Sequence, residues 1–250
     1  MTNICKIKWL EIIESTNDYI REHISELDNL SVIAAKCQTK GRGQRGNTWT
    51  SEPGTNLTFS LLLKFDESTL QANQMFIISQ ITALSIIELL SQEGIEAKIK
   101  WPNDIYVNNN KICGILIENK LNGLYVENSI VGIGLNVNQS EFIGKYAVEP
   151  TSMIKETGKK EDLELLLSEF LFYFRDLLPT IERNSGRRHI QKRYKSLLYR
   201  KDEPGKFILQ ASNEHFWGII RDVSDRGMLC LEINEGEIVE FAFNEIKYII

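Results

Sequence analysis

The chain has 250 residues, 42% of them hydrophobic and 25% charged, which suits one substantial core with a small added domain and lacks the bias of a disordered chain. A formal charge of −5 argues against a main task of neutralising nucleic-acid phosphates, so any phosphate bound is expected to be small. Cys5, Cys37, Cys113 and Cys230 are widely spaced, with no C-x-x-C pair and three histidines, which points to reduced thiols in a cytoplasmic protein and away from a zinc site or a disulfide framework.

In chain order, residues 4–13 read as a strand. Ser15-Thr16-Asn17-Asp18 follows with a serine three residues ahead of an acid, so a capped helix is expected there. Tyr19, Ile20, His23, Ile24 and Leu27 recur at helical spacing, which makes His23 a packing or surface histidine. Residues 31–38 form a β-rich run into Gly41-Arg42-Gly43-Gln44-Arg45-Gly46, and residues 56–63 form another leaving it. The glycines free the backbone to turn N–H groups onto an anion, and Arg42 and Arg45 add charge; alone, the loop reads first as an ordinary turn between two strands. No Gly-Lys-Ser/Thr follows, and Asn47-Thr48-Trp49 stands where a further glycine would open a helix, so it is neither a Walker loop nor a dinucleotide fingerprint.

Residues 73–92 are the longest helical pattern, apolar on most sides and stopped by Gly94, and are expected as a central buried helix. After residues 95–99 comes Lys100-Trp101-Pro102-Asn103-Asp104. Asn103 and Asp104 offer oxygens suited to a Mg²⁺ that shares phosphate ligands, with a plain turn as the alternative. Strands are expected at 111–118 and 129–138, where Gly114, Gly132 and Gly134 point to a face on which something lies close to the backbone. Residues 163–182 and 187–198 read as amphipathic and basic helices, and 201–206 as a linker. Short β-prone runs at 207–211, 216–221, 228–233 and 238–243 then predict a small antiparallel barrel.

Four motifs stand in order: Gly41-Arg42-Gly43 with Trp49 and Gly54-x-Asn56-Leu57; Lys100-Trp101-Pro102-Asn103-Asp104; Lys111-x-x-Gly114-Ile115-Leu116-x-Glu118; and Gly132-Ile133-Gly134-Leu135-Asn136-Val137-Asn138. Together they closely resemble the biotin protein ligases (biotin–[acetyl-CoA-carboxylase] ligases), densely to the end of the fourth motif and loosely beyond it. The resemblance implies an α+β fold, with a mixed sheet and packed helices over residues 1–200 and a small SH3-like β domain over 201–250. It implies formation of biotinyl-5′-AMP from biotin and ATP, then transfer of biotin to a lysine of a biotin carboxyl carrier protein.

By the same resemblance Lys111, Lys100, Arg42 and Arg45 are catalytic. Biotin is expected at Ser15, Thr16, Asn17, Gln38, Gly41, Arg42, Gly43, Gln44, Lys111 and Gly114. ATP is expected at Arg45, Trp49, Lys100, Asn103 and Asn136, with Mg²⁺ at Asn103 and Asp104. The chemistry asks for such a set. A carboxylate must meet a phosphate, anion on anion, so positive charge has to be in place first. A neutral ureido ring needs a small polar cup within an apolar slot. The mixed anhydride must be kept from water, which a closing loop achieves.

Gln44 and Asn47 depart from many relatives, which carry arginine at these two points, so this loop is less positive. Three other functions stay open at this level. A lipoate ligase or octanoyl transferase would share the fold, and the transferase would draw attention to Cys113 as a nucleophile. A biotin-responsive DNA-binding repressor would need a domain ahead of the first strand, for which the expectation from residue 4 leaves no room. A non-enzymatic biotin-binding module would not need the clustered lysines. The expected setting is the cytoplasm, without DNA or membrane, and a homodimer is one option for the assembly.

Overall fold

The computed structural model describes residues 6–144, 146, 148–234 and 236–249, with Arg45 described by its backbone alone. Among these residues seven strands form the first sheet: β1 (Ile7–Ile13), β2 (Val32–Gln38), β3 (Leu57–Lys64), β4 (Lys98–Lys100), β5 (Asp104–Val107), β6 (Asn110–Asn122) and β7 (Tyr125–Leu135). They lie in the order β1-β2-β3-β7-β6-β5-β4. The β1–β2 pair is parallel and the others are antiparallel, so the sheet is mixed as expected. The central strand β3 is buried on both faces up to Lys64. That burial explains its nearly continuous apolar run, and it makes Thr58 and Ser60 polar exceptions inside the fold.

Five helices complete this part: α1 (Thr16–Glu22), α2 (Phe76–Gln92), α3 (Met153–Thr157), α4 (Leu163–Leu177) and α5 (Asn184–Ser196). The Ser15 hydroxyl accepts from the Asp18 N–H at 3.4 Å, the cap its spacing predicts. α2 is buried on nearly every side and is stopped where expected: Glu93 caps it and Gly94 follows with φ of +75°. With its preceding turn, α2 is long and apolar enough to cross a membrane by composition; here it packs between the sheet, α4 and α5 as the core helix. The helix expected over 163–182 ends earlier, at Leu177, and gives way to a 3₁₀ turn over Leu178–Glu182 where Pro179 cannot continue the hydrogen-bond ladder.

The second sheet holds β8 (Pro204–Leu209), β9 (Glu214–Val223), β10 (Leu229–Ile233), β11 (Glu237–Phe241) and β12 (Ile246–Ile249), in the order β11-β10-β9-β8-β12 and antiparallel throughout. The linker expected at 201–206 is therefore half strand: Pro204 opens β8, a position where a missing N–H does little harm. The sequence reading also missed β12, whose four residues are too few to show a period.

The two sheets share one apolar core, which takes in Trp101 from the turn between β4 and β5 and Phe207, Leu229 and Ile246 from the second sheet. Trp101 Nε1 donates to the Gly227 carbonyl at 2.9 Å, and the Trp101 and Phe243 rings meet edge to face at 6.3 Å between centroids. The Lys100–Asp104 turn is thus fastened to the second sheet at its own tryptophan.

Candidate active site

A cleft of about 1070 Å³, counted to its open mouth, runs across the face of the first sheet beneath the glycine loop and against β12.

One end is a neutral polar cup. Ser15, Thr16 and Asn17 are buried at the start of α1. The Thr16 backbone N–H and hydroxyl both donate to Gln38 Oε1, at 2.7 and 3.0 Å. Ser60 Oγ donates to Asn17 Oδ1 at 2.5 Å and lies 2.6 Å from Thr16 Oγ1. Asn17 Nδ2 donates to Glu118 Oε2 at 2.8 Å. A side chain at Gly132 would put its Cβ 2.3 Å from Asn17 Oδ1, so that glycine makes room for the amide of the cup.

The other end is cationic. Lys111 Nζ lies 2.7 Å from Asp104 Oδ1 and 5.8 Å from the centre of the Trp49 ring. Its backbone is gripped by the segment before α3: the Lys111 N–H donates to the Glu149 carbonyl, and the Thr151 N–H donates to the Lys111 carbonyl, both at 2.9 Å. Lys100 Nζ stands 5.5 Å from the centre of the Tyr106 ring and 4.8 Å from that of Tyr248, so one strand of each sheet presents an aromatic face to it. Asn103 Nδ2 donates to the Ile115 carbonyl at 2.7 Å, which turns its side-chain oxygen away from that strand.

Between the two ends lies Trp49. Its indole rests on the sheet at Gly134 and Gly114: added Cβ atoms there would come within 2.2 and 3.2 Å of the ring. Of the three glycines that suggested an occupied face, Gly114 and Gly134 are covered by the chain's own tryptophan and Gly132 by Asn17. The loop before it is a tight hairpin, with Gly43 N–H donating to the Asn47 carbonyl at 2.7 Å and Trp49 N–H to the Gly41 carbonyl at 2.9 Å. Gly43 therefore offers no N–H to a ligand in this conformation, and of the three loop glycines only Gly46 takes positive φ.

Four buried side-chain polar atoms among the described residues have no hydrogen-bond partner, and three of them, Trp49 Nε1, Thr58 Oγ1 and Asp104 Oδ1, belong to residues lining this cleft. Asp104 Oδ1 meets Lys111 as an ion pair without the direction of a hydrogen bond. Buried polar groups are normally satisfied, so three such atoms around one cavity mark a place where a ligand supplies the missing partners.

The cleft gathers Ser15, Thr16, Asn17 and Gln38 at the cup, Arg42, Gly43, Gln44 and Trp49 at the loop, and Lys100, Asn103, Asp104, Lys111 and Gly114 at the cationic end. Two expected residues do not line it. Gly41 lies beneath Trp49, where a Cβ would meet the Trp49 carbonyl at 2.3 Å. Asn136 Nδ2 donates to the Thr151 carbonyl at 2.9 Å and so holds the segment that grips Lys111. The Arg45 side chain lies outside the described residues. Sequence reasoning missed Thr58, Ser60 and Glu118, and also Ile246, Lys247 and Tyr248 from β12 and Phe243 from the turn before it. The polar residues within the apolar β3 run were the available signal for the first two.

Cys113 does not serve this cleft as a nucleophile. It is fully buried, and burial pushes its thiol far above the usual range, so it stays protonated at neutral pH.

Residues 9–136 match the Biotin/lipoate A/B protein ligase family. The chain belongs to that family. Within it, the chain is 30% identical over 228 residues to a biotin–[acetyl-CoA-carboxylase] ligase of Paracoccus denitrificans, covering 87% of this chain and 90% of that one. It is 27% identical over 238 residues to the bifunctional ligase/repressor BirA of Salmonella typhimurium, covering 95% of this chain and 72% of that one. Its fold superposes on the biotin protein ligase of Aquifex aeolicus in complex with biotin and ATP with a TM-score of 0.80, at 27% identity, covering 98% and 99% of the two chains.

Proposed function

We infer that this member of the biotin/lipoate ligase family is the biotin-specific, ATP-dependent enzyme, forming biotinyl-5′-AMP and passing biotin to a lysine of a biotin carboxyl carrier domain. The observation that carries the choice of acyl group is the polar cup. A ureido head brings two donors and one acceptor to the polar groups of Thr16, Asn17, Gln38 and Ser60, whereas a lipoyl or octanoyl tail would set only apolar surface against them. The cysteine-dependent transferase reading falls with the neutral, buried thiol of Cys113.

In the first step a biotin carboxylate oxygen attacks the α-phosphorus of ATP and pyrophosphate leaves. Lys111, at the cationic end beside Trp49, neutralises the two anions as they approach, and Asp104 holds its ammonium there. Lys100, restrained between two aromatic faces, serves the phosphates. In the second step the carrier's lysine amine attacks the acyl carbon, AMP leaves and the amine loses a proton.

Among the described residues no three His, Cys, Asp or Glu side chains cluster to hold a metal. That fits Mg²⁺ bound chiefly by phosphates and waters with one or two protein oxygens, here Asp104, whose Oδ1 lacks a directed hydrogen bond, and the Asn103 side chain. When bound, the ion neutralises phosphate charge. The division at about residue 200 is our placement, supported by the change from helices to the second sheet between α5 and β8. The negative net charge supports a ligase that does not bind DNA, and the free cysteines support a cytoplasmic setting.

The test is an intact-mass measurement of a carrier domain incubated with the protein, biotin, ATP and Mg²⁺. One biotinyl group on one lysine is expected; an unmodified carrier, with lipoate or octanoate accepted in place of biotin, overturns the reading.

A further inference from the structure

Asn17, in the floor of the cup, and Arg42, in the glycine loop, are far apart in sequence and share one acceptor. Glu118 on β6 takes a hydrogen bond from Asn17 Nδ2 at 2.8 Å and bonds from Arg42 Nη2 at 3.2 and 3.3 Å. Arg42 Nη2 also donates to Asp18 Oδ1 at 2.8 Å. Arg21 closes the group, donating to both Glu118 oxygens at 2.7 Å and pairing with Asp18. Two arginines and two carboxylates thus form a balanced cluster, with side-chain exposures of 39% for Arg42 and 30% for Glu118.

We propose that Glu118 is a positioning residue that ties the glycine loop to the biotin cup, so that the loop stays over the cleft while the adenylate is held. The inference rests on the ligase reading above. Its physical basis is a continuous chain of hydrogen bonds, Gln38 to Thr16, Thr16 to Ser60, Ser60 to Asn17, Asn17 to Glu118 and Glu118 to Arg42. A single exposed ion pair contributes little, but here each carboxylate is shared by two guanidinium groups and one is anchored to a buried amide, so the geometry is set from the cup side. The hairpin of the loop places Arg42 opposite Thr48, immediately before Trp49. Releasing Arg42 therefore loosens the strand that lays the indole on Gly134.

Glu118→Gln and Glu118→Leu separate this role from general stability. Glutamine keeps an acceptor for Asn17 and loses the charge that holds Arg42; leucine loses both. Adenylate is formed in a single turnover, its formation confirmed by pyrophosphate release, and its escape is followed after dilution. Glu118→Gln is expected to speed escape by about tenfold while changing the biotin dissociation constant less than about twofold. Glu118→Leu is expected to raise both. Adding Arg42→Ala to Glu118→Gln is expected to give less than the sum of the two single effects, because the two share the Arg42–Glu118 contact while Arg42 also pairs with Asp18. Higher salt should speed escape from the wild type more than from Glu118→Gln, which keeps only the Arg42–Asp18 pair. Adenylate held equally long by wild type and both Glu118 variants, or a fully additive double variant, overturns the inference alone. Absence of adenylate in the wild type overturns the ligase reading and the inference with it.

Discussion

The indole of Trp49 lies directly on the backbone of Gly134: a Cβ there would stand 2.2 Å from Cε2 of the ring. Strand β7 has no room for a side chain at that point because the loop's aromatic residue already fills it, and the buried Nε1 is left without a partner. Gly134→Ala should therefore displace Trp49 at an overpacking cost of about 1–3 kcal/mol. A lower melting temperature together with slower adenylate formation is expected. An alanine variant as stable and as active as wild type would show that the indole has no fixed seat.

The orphaned indole N–H also predicts a spectroscopic change. Ligand binding that supplies its acceptor should shift tryptophan emission when biotin and ATP are added together, and Trp49→Phe should remove most of that shift. A shift of equal size in Trp49→Phe would assign it to Trp101 instead, which also lines the cleft.

Lys111 and Gln38 divide the work between chemistry and binding. Lys111→Ala should lower the rate of adenylate formation by about a hundredfold or more, with little change in biotin affinity. Gln38→Ala should chiefly weaken biotin, by about 1–3 kcal/mol, because it also strips the acceptor from the Thr16 N–H and hydroxyl. Stopped-flow adenylation and equilibrium biotin binding measure the two separately, and equal losses in both for both variants would contradict the assignment.

The second sheet takes part through Tyr248, whose ring centre lies 4.8 Å from the Lys100 ammonium. Tyr248→Ala should slow adenylate formation by up to about tenfold, the loss of a contact of roughly 1.4 kcal/mol, whereas Tyr248→Phe keeps the aromatic face and should stay near wild type. Pyrophosphate release distinguishes the two; equal rates in wild type and Tyr248→Ala would remove β12 from the site.

Much of this site was legible in the sequence because its chemistry is carried by local motifs. The Lys100–Asp104 turn shows its chemistry within five residues, whereas Ser15 through Asn17 read locally as a helix cap and Gln38 entered only by the resemblance; the fold brings all of them to one cleft. What escaped is long-range. Glu118 carries its meaning through Asn17 and Arg42, contacts separated by 101 and 76 positions in the chain. Tyr248 sits on a four-residue strand whose pairing with β8 no local pattern reveals. Asn136, expected at ATP, instead ties down the Thr151 segment, a role visible only once β7 and that segment are adjacent. The loop glycines differ from expectation for a steric reason: Gly43 is extended at φ −115°, which any residue adopts, while Gly41 is required by the nearness of the Trp49 carbonyl.

The central claim is that the cup selects biotin and the lysines activate it with ATP. It is tested most directly by pyrophosphate release without any carrier protein, comparing biotin, lipoate and octanoate at equal concentration with ATP and Mg²⁺. A single stoichiometric burst with biotin alone, lost in Lys111→Ala, is the predicted result; an equal or larger burst with lipoate or octanoate would contradict it.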